Sequence, residues 1–453
     1  MNLIALSLIF VAAVYVMVNY GIARTFVFVY IPALLLLFLI PAYKLPGIPN
    51  LNMPTAVGYA VLLIAPFKWK ELSRLKFNAI DIMIVLMMLP PTISVLLNDT
   101  LWDAIGRSGD LFFRWILPYF LARIAFNDAD ARKRLLPVLC TCAIAIGCFA
   151  AIEARLRPYF VARTMKQAGL ANAPVAQVFW RFGLARAQTT LGHPIDLGVC
   201  GTIVGSMIIL LTPITGRRWN DKLPLAGVFA CGAMVVGAVS FTGFLGMATA
   251  FASLYVFTRP RLGPTMVLPA MLGVGVLVAT LMASMLTSAL PAERPEDKLE
   301  ESLWIRQKIV QEGWETASSA GLLGKGLSLD TADIGTGSID NSYLLFVMQY
   351  GWLYLASWVL LAMIVGYYGG RTLALTQTPS ERIPVAAACA GIVAVLLAMY
   401  TVFYGFAYAL LFLSLLGMLS SMWQIFSTRG QPIAMPAGYQ PAMPPGMMPG
   451  GTR

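Results

Sequence analysis

Residues 1–20 read MNLIALSLIFVAAVYVMVNY, an apolar stretch without a charged side chain. About 20 residues of α-helix, at a rise of about 1.5 Å per residue, cross the roughly 30 Å hydrocarbon core of a bilayer. No basic residues precede the apolar stretch, as they would in a secretory signal, and no soluble sequence follows it. We therefore expect a first membrane-spanning helix that stays in the mature protein.

The composition of the whole chain extends this interpretation. Of its 453 residues, 58% are hydrophobic and only 12% are charged, whereas soluble domains carry about 25% charged residues. Spans of about 20 residues would use more than half of such a chain, which leaves little sequence for a soluble catalytic domain. The formal net charge of +11 means little for a membrane protein until the charges are placed along the chain, and nucleic acid is not the expected partner.

Apolar runs of spanning length recur along the chain, and we predict an all-α, polytopic integral membrane protein with 12 to 13 transmembrane helices. Pro32, Pro54 and Pro269 are expected to kink their helices. The runs cover residues 3–20, 25–40, 53–66, 78–97, 104–124, 135–153, 195–212, 223–240, 243–257, 264–286, 342–366, 384–403 and 407–426.

Lysine and arginine in short loops predict the orientation, because cytoplasmic loops are enriched in them. These loop charges fall on one side of the membrane, which predicts a cytoplasmic C-terminus. They are Lys68, Lys70, Arg74, Lys76, Arg123, Arg132, Lys133, Arg134, Arg217, Arg218, Lys222, Arg259, Arg261, Arg371, Arg382 and Arg429.

The predicted organisation has six segments, two of which are long extracytoplasmic loops. The membrane parts are residues 1–153, 195–286 and 342–426. The loops are residues 154–194 and 287–341, and residues 427–453, rich in Pro, Gly and Met, are expected to form a disordered cytoplasmic tail.

The two long loops differ in charge. The first has no acid between Ala154 and Gly192 but carries six basic residues, which suggests an anionic client: Arg155, Arg157, Arg163, Lys166, Arg181 and Arg186. The second contains the segment PEDKLEESLWIRQKIVQEGWETASS (residues 295–319), whose initial proline and acids predict a surface helix that stops before Gly321.

Cysteine and histidine usage argues against a metal site. The six cysteines (Cys140, Cys142, Cys148, Cys200, Cys231 and Cys389) all lie in apolar runs, where packing is their expected role. With His193 as the only histidine, a histidine-rich metal site cannot form. We expect neither a metal nor a cofactor.

Each long loop ends in a recognisable motif. The first ends in WRFGLARAQTTLGHPIDLG, with Arg181 followed by ten residues and then Gly192, His193 and Pro194. The second contains Arg306, a Gly-x-Gly turn and the helix start NSYL at Asn341. In their order and spacing these motifs resemble the O-antigen ligase and polysaccharide polymerase superfamily, over about residues 155–360.

The resemblance implies metal-independent glycosyl transfer from an undecaprenyl-pyrophosphate-linked glycan at the outer face of a bacterial inner membrane. The Arg-x10-Gly spacing is similar to the pattern of the polymerases. His193 matches the family pattern, but Ile195 stands where many members have Asn. Asp340 stands where ligases of the family have His, which favours a polymerase over a ligase.

The side-chain chemistry of the candidate residues agrees with this reaction. A departing pyrophosphate needs cations, and arginine supplies planar, permanently charged, bidentate donors. Arg181, Arg186 and Arg306 are the candidates, and binding of anionic lipid headgroups is the alternative role for each. For the other basic residues of the first loop, the lipid role is favoured.

The acceptor hydroxyl requires a general base. Asp340 and His193 are the candidates, with Asp340 slightly favoured and Glu153 a weaker third. The alternative is structural: either residue is also suited to cap the helix that follows it.

Further candidate substrate contacts lie outside these groups. Arg107, Asp110 and Arg114 share one helix face near the outer membrane boundary, where they fit either a substrate cavity or a structural ion pair. Trp180, Asn341 and Tyr343 are candidate glycan contacts, although interfacial belts are also rich in aromatic residues.

These features predict a polymerase that joins lipid-linked repeat units. Its expected partners are the undecaprenyl-pyrophosphate-linked glycan, the growing polysaccharide acceptor, membrane lipids, and chain-length regulator and flippase proteins. Two alternatives within the superfamily remain, an O-antigen ligase and a protein O-oligosaccharyltransferase. A polysaccharide or lipid-linked glycan flippase is the alternative from another class.

Overall fold

The chain folds almost entirely into helices, with one short β-hairpin. A computed structural model describes residues 2–40, 42–43, 49, 51–170, 180–218, 220–291, 295, 298–328, 341–401 and 406–428. In this part of the chain, eight helices are long and apolar enough to cross a membrane. The predicted all-α, polytopic membrane fold is confirmed. The tail predicted to be disordered lies outside the described residues beyond Thr428.

The N-terminal third contains ten α-helices, two π-helical segments and a short 3-10 helix. In chain order they are α1 (Asn2–Tyr20), α2 (Ile22–Thr25), the π-helix Phe26–Tyr30, α3 (Ile31–Leu36), α4 (Met53–Ile64), the 3-10 helix Ala65–Lys68, α5 (Trp69–Leu72), α6 (Ala79–Leu86), α7 (Leu89–Asn98), α8 (Leu101–Leu111), the π-helix Phe112–Ile116, α9 (Leu117–Asn127) and α10 (Ala129–Arg155).

The remainder contains the hairpin and the central and C-terminal helices. They are α11 (Phe160–Gln167), β1 (Trp180–Arg181), β2 (Leu184–Ala185), the 3-10 helix Thr189–Leu191, α12 (Pro194–Ile214), α13 (Lys222–Ala238), α14 (Phe241–Phe257), α15 (Gly263–Thr287), α16 (Lys298–Ser319), the 3-10 helix Gly326–Ser328, α17 (Ser342–Ala374), α18 (Pro379–Ala398) and α19 (Phe406–Ser427).

Every predicted apolar run coincides with a helix. Eight runs match the long apolar helices, and three match the shorter apolar segments Ile22–Leu36, Lys222–Ala238 and Phe241–Phe257. The other two correspond to α4 and to the continuous α8–α9 segment, which carries charged residues. The segment predicted to form a helix that stops before Gly321 is helical, as α16.

Two of the prolines follow irregular helical turns. Pro32 and Pro118 each lie in the first turn of the helix after a π-helical segment. A proline ring clashes with the carbonyl four residues earlier, and a π turn relieves this conflict by changing the local pairing. Pro54 lies in the first turn of α4, where its missing N–H costs nothing. The kink predicted at Pro54 is therefore wrong.

The most deeply buried spans form the centre of the molecule. Most residues of α12, α18 and α19 are buried, whereas α1 and α15 expose most of their surface, as expected for helices that face lipid. Gly198 of α12 and Gly243 of α14 allow close approach, because a Cβ on either would lie 3.0 Å from the other's Cα. Small residues commonly permit such contacts between membrane helices.

Arg123 differs from its predicted role as an exposed loop charge. Its side chain is fully buried in α9 and pairs with the equally buried Asp81 of α6. The guanidinium also donates to the Lys76 carbonyl and to Gln424 Oε1, both at 3.0 Å, and the Tyr119 hydroxyl donates to Asp81 at 2.6 Å. A buried charge requires such partners, and this cluster joins α6, α9 and α19.

The long helix α17 is broken at Gly351. Its backbone there is left-handed (φ 80°), and the turn at residues 321–325 fills the break. Trp352 N donates to Gly321 O (3.3 Å), Leu353 N to Leu322 O (3.1 Å), and Lys325 N to Met348 O (2.9 Å). The break is tolerated because these bonds satisfy the freed backbone groups.

Candidate active site

The first long loop is organised around Glu153, at the end of α10. This side chain is fully buried, and its carboxylate accepts three backbone N–H groups: Val161 (2.9 Å), Gln188 (2.9 Å) and Thr189 (2.8 Å). Thr189 has a left-handed backbone (φ 51°), which is unfavourable for a β-branched residue. Glu153 therefore joins both ends of the loop and supports a strained turn.

A β-hairpin within this loop carries Arg181. Arg181 pairs with Leu184, and Trp180 pairs with Ala185. The two residues between the strands, Phe182 and Gly183, both have positive φ (52° and 75°), as in the tight turns that match the twist of a hairpin. Ala187 N then donates to Gly237 O at 2.9 Å, which ties the end of the hairpin to α13.

Three predicted arginines come together here. Burial lowers the pKa of Arg186 to about 10, and the positive charges of Arg181 and Arg306 add to this lowering, while Tyr159 opposes it. Arg306 comes from the second long loop, so positive charges from both long loops act on Arg186. At neutral pH the Arg186 guanidinium is still protonated, and its buried Nε has no hydrogen-bond partner among the described residues.

Helix α16 carries Arg306 and is fixed to the end of α15 by side chain to backbone bonds. Gln307 Nε2 donates to Ser288 O, Gln311 Nε2 to Met285 O, and Trp304 Nε1 to Pro291 O, each at 2.9 Å. The helix is thus held against the C-terminal end of α15. This arrangement fixes the position from which Arg306 approaches the first loop.

The structure bears differently on the three candidate general bases. His193 is exposed at the start of α12, and its Nδ1 accepts the Ile195 N–H at 3.3 Å, so it does cap that helix. Asp340 lies outside the described residues. Glu153 has both carboxylate oxygens engaged by backbone donors, a structural role that competes with proton transfer.

The three candidate glycan contacts also lie in different environments. Trp180 is 52% exposed on the hairpin and remains available to a ligand. Asn341 is buried at the start of α17, where its Oδ1 accepts the Leu344 N–H at 3.1 Å. The Tyr343 hydroxyl donates to the Leu396 carbonyl at 2.6 Å, which ties α17 to α18.

Arg107, Asp110 and Arg114 form the ion-paired cluster that was one of their two predicted roles. Asp110 accepts a hydrogen bond from Arg107 Nη1 at 3.3 Å, and its Oδ1 forms an ion pair with Arg114, 2.8 Å from Arg114 Nε. Arg107 Nη2 also donates to the Tyr350 hydroxyl, next to the break in α17. This group lies in the α8–α9 segment and contacts α17, whereas Arg181 and Arg186 belong to the first long loop.

Asp196 is a polar candidate that the sequence reasoning did not single out. It lies in the first turn of α12, one turn after His193. Its side chain is half-buried, and among the described residues no hydrogen bond or ion pair engages it. An acid inside an apolar run was the available signal, since charges in membrane segments commonly have functional roles.

No cluster of metal ligands adds to this group in the described part of the chain. The described residues contain no cluster of three or more His, Cys, Asp or Glu side chains that could hold a metal. A cavity of about 270 Å³ lies between α12, α13, α14 and α18, but small and apolar residues such as Gly201, Gly205 and Ala250 line it. Its few polar lining groups are those of Thr202, Ser206 and Cys231, and most of its surface is apolar.

The fold and the helix lengths define a multi-pass helical membrane protein with a cationic site formed by two long loops. Comparison of the chain with models of known protein families and with curated proteins gave no match.

Proposed function

We propose that this protein polymerises undecaprenyl-pyrophosphate-linked oligosaccharide repeat units at the outer face of a bacterial inner membrane. The observation that carries the proposal is that the charges of Arg181 and Arg306, which come from two separate loops, both act on the buried Arg186. Three positive charges near one another repel, so their association is favourable when an anion lies between them. A pyrophosphate supplies such an anion.

The proposed reaction is a substitution at an anomeric carbon. The acceptor hydroxyl attacks that carbon, the bond from carbon to the pyrophosphate oxygen breaks, and the hydroxyl proton passes to a base. The arginines stabilise the negative charge that develops on the departing pyrophosphate. The loss of one such donor in a dry site commonly costs about 3 to 4 kcal/mol, or roughly 10² to 10³ in rate.

The principal test is the substitution Arg181→Ala in cells that make long-chain polysaccharide. We expect the protein to insert and accumulate, while long chains disappear and single repeat units collect on the outer leaflet. Arg181→Lys should restore activity only in part, because lysine lacks the bidentate fork. Arg163→Ala is the matched control, since it removes an exposed arginine from the same loop.

Three outcomes would count against the proposal. Normal chain lengths with an accumulated Arg181→Ala protein would remove Arg181 from the reaction. Repeat units retained on the inner leaflet would indicate a flippase, and transfer of finished chains to another lipid or a protein would indicate a ligase or an oligosaccharyltransferase.

The same reaction can be assayed with purified protein and a lipid-linked repeat unit. We expect turnover to survive EDTA, since the arginines supply the positive charge that a metal supplies elsewhere. Loss of turnover that magnesium or manganese restores would overturn the metal-independent mechanism.

A further inference from the structure

A second cationic group lies in the α8–α9 segment, in the part of the chain that the sequence predicts to span the membrane. Arg107, Asp110 and Arg114 have side chains that are 21%, 17% and 24% exposed, so each is mostly buried but reachable. Asp110 contributes one negative charge against the two positive charges of the arginines. Buried charge of this kind is costly in a membrane unless it is balanced.

Arg107 retains a donor for a ligand. Its Nη1 donates to Asp110 and its Nη2 to Tyr350, and the guanidinium lies over the Tyr350 ring at 5.1 Å from the centroid. Its Nε is buried, with no hydrogen-bond partner in the described part of the chain. An unpaired buried donor is uncommon and calls for an explanation. An anion at this position would provide it.

Two helical irregularities adjoin this group. Arg114 lies in the π-helix Phe112–Ile116, and Tyr350 directly precedes the break at Gly351. Both features weaken regular helical bonding, π-turns frequently occur at functional sites, and broken membrane helices commonly form binding sites. They come from separate segments of the chain and adjoin the two arginines of one group: the π-helix contains Arg114, and Tyr350 accepts a hydrogen bond from Arg107.

This group is distinct from the loop arginines. Asp110 and Tyr350 engage Arg107 and Arg114 in the α8–α9 segment and α17, whereas Arg181 lies in the β-hairpin of the first long loop and Arg186 directly follows it. Two separate cationic groups are what a polymerase with two lipid-linked substrates requires, because donor and acceptor each carry a pyrophosphate.

We propose that Arg107 and Arg114 bind the pyrophosphate of a second polyprenyl lipid, which carries the acceptor glycan, while the loop arginines bind that of the donor. This inference rests on the proposed function and names the second substrate of the same reaction. Asp110 then holds the two arginines apart when the lipid is absent and competes with its phosphates when the lipid is present.

The test measures the binding of radiolabelled geranylgeranyl pyrophosphate to the full-length protein in nanodiscs of phosphatidylcholine. We expect two molecules per chain for the unaltered protein. Arg107→Gln should weaken one site about 10- to 100-fold, and Arg186→Gln should weaken the other. Arg163→Gln, which removes an exposed arginine, is the control and should retain both sites.

Asp110→Asn provides a test that does not depend on a loss of function. If an anion competes with Asp110, this substitution should tighten binding at the Arg107 site by about tenfold or more. If the group only stabilises the helix, Asp110→Asn should leave affinity unchanged or reduce it. If the Arg107→Gln protein does not accumulate, Asp110→Asn still tests the inference. Arg107→Lys is then a second variant, which retains the positive charge.

Two competitors identify the source of the phosphate. We expect unlabelled geranylgeranyl pyrophosphate to displace the probe far better than phosphatidylglycerol or inorganic pyrophosphate. Equal displacement by phosphatidylglycerol would make this a general lipid headgroup site, and equal displacement by inorganic pyrophosphate would exclude recognition of the lipid chain. Either result overturns the inference, as does binding of a single molecule per chain.

The binding assay and the polymerisation assay separate the two proposals. One bound molecule per chain together with active polymerisation would overturn the second site alone. Two sites with the expected mutational pattern in a protein that makes no polymer would overturn the proposed function.

Discussion

At the scale of single residues, Glu153 determines whether the first loop can present its arginines. Its carboxylate accepts three backbone N–H groups from two distant parts of the loop. Because Gln188 and Thr189 directly follow the hairpin region that carries Arg181 and Arg186, we infer that Glu153 positions both arginines without contacting the substrate.

Glu153→Gln should therefore reduce stability and activity together. The amide has one acceptor oxygen, so either Val161 or the pair Gln188 and Thr189 loses its acceptor, at a cost of about 1–3 kcal/mol for each buried group left unpaired. Thermal unfolding in detergent and the length of the polymer check this. Asp130→Asn, at the opposite end of α10, removes the carboxylate of two largely exposed ion pairs, with Arg24 and Arg134, and should change the free energy of unfolding much less, because water screens exposed pairs. Equal effects of the two variants would contradict the role of Glu153.

The identity of the general base is a second question at this scale. We expect Asp340→Asn to lower turnover by about 10² to 10⁴ while donor binding is retained, since asparagine keeps the shape and capping ability of the side chain. His193→Ala and Asp196→Asn are the parallel variants. If Asp340→Asn polymerises normally, Asp340 is a cap, and a selective loss of turnover in one of the other two variants would identify the base.

The pKa of Arg186 predicts how donor binding depends on pH. Burial and the neighbouring arginines lower this pKa to about 10, so the guanidinium is charged below pH 10 and loses its charge as the pH rises through 10. The affinity for donor should be constant from pH 7 to about 9 and fall above 10, with the fall displaced upward at saturating donor because a bound anion favours the charged form. Titration calorimetry measures this, and Arg186→Gln should remove the dependence.

At the scale of elements, the break in α17 connects the second loop to the membrane. Gly351 requires its left-handed backbone, and a Cβ there would lie 2.1 Å from Leu322 O. Gly351→Ala should therefore expel the turn at residues 321–325 and destabilise the protein by about 1–3 kcal/mol. Gly273→Ala, in α15 where a Cβ meets nothing, should be neutral or slightly stabilising. Unfolding curves of both variants show whether the fold requires the break at Gly351 or only tolerates it.

The same elements explain what the sequence could predict. Helix positions followed from apolar runs, because a bilayer demands about 20 apolar residues whatever the tertiary contacts are. The break at Gly351 could not be predicted in this way, because it depends on the turn at residues 321–325. That turn is distant in sequence and supplies the missing hydrogen bonds. Arg123 was assigned to a loop because its partner Asp81, 42 residues away, gives no local signal. Charge and motif were sufficient to select Arg181, Arg186 and Arg306 as candidates. They could not predict that these residues lie near one another.

At the scale of the whole molecule, orientation decides whether the proposed reaction is possible. The short loops rich in lysine and arginine predict one cytoplasmic side, and the two long loops with the arginine group then face outward. The first loop is itself basic, so counting its charges alone would predict the opposite orientation. The prediction therefore depends on the number of membrane crossings between the loops.

Single cysteines can determine this orientation. Phe182 at the hairpin tip is 93% exposed, Arg261 is exposed between α14 and α15, and Cys148 is the one native cysteine that is exposed among the described residues. In a Cys148→Ala background, a membrane-impermeant maleimide should label Phe182→Cys in spheroplasts and Arg261→Cys only after permeabilisation. Labelling of Arg261→Cys alone in spheroplasts would put the arginine group on the cytoplasmic side, where an extracytoplasmic polymerase could not use it.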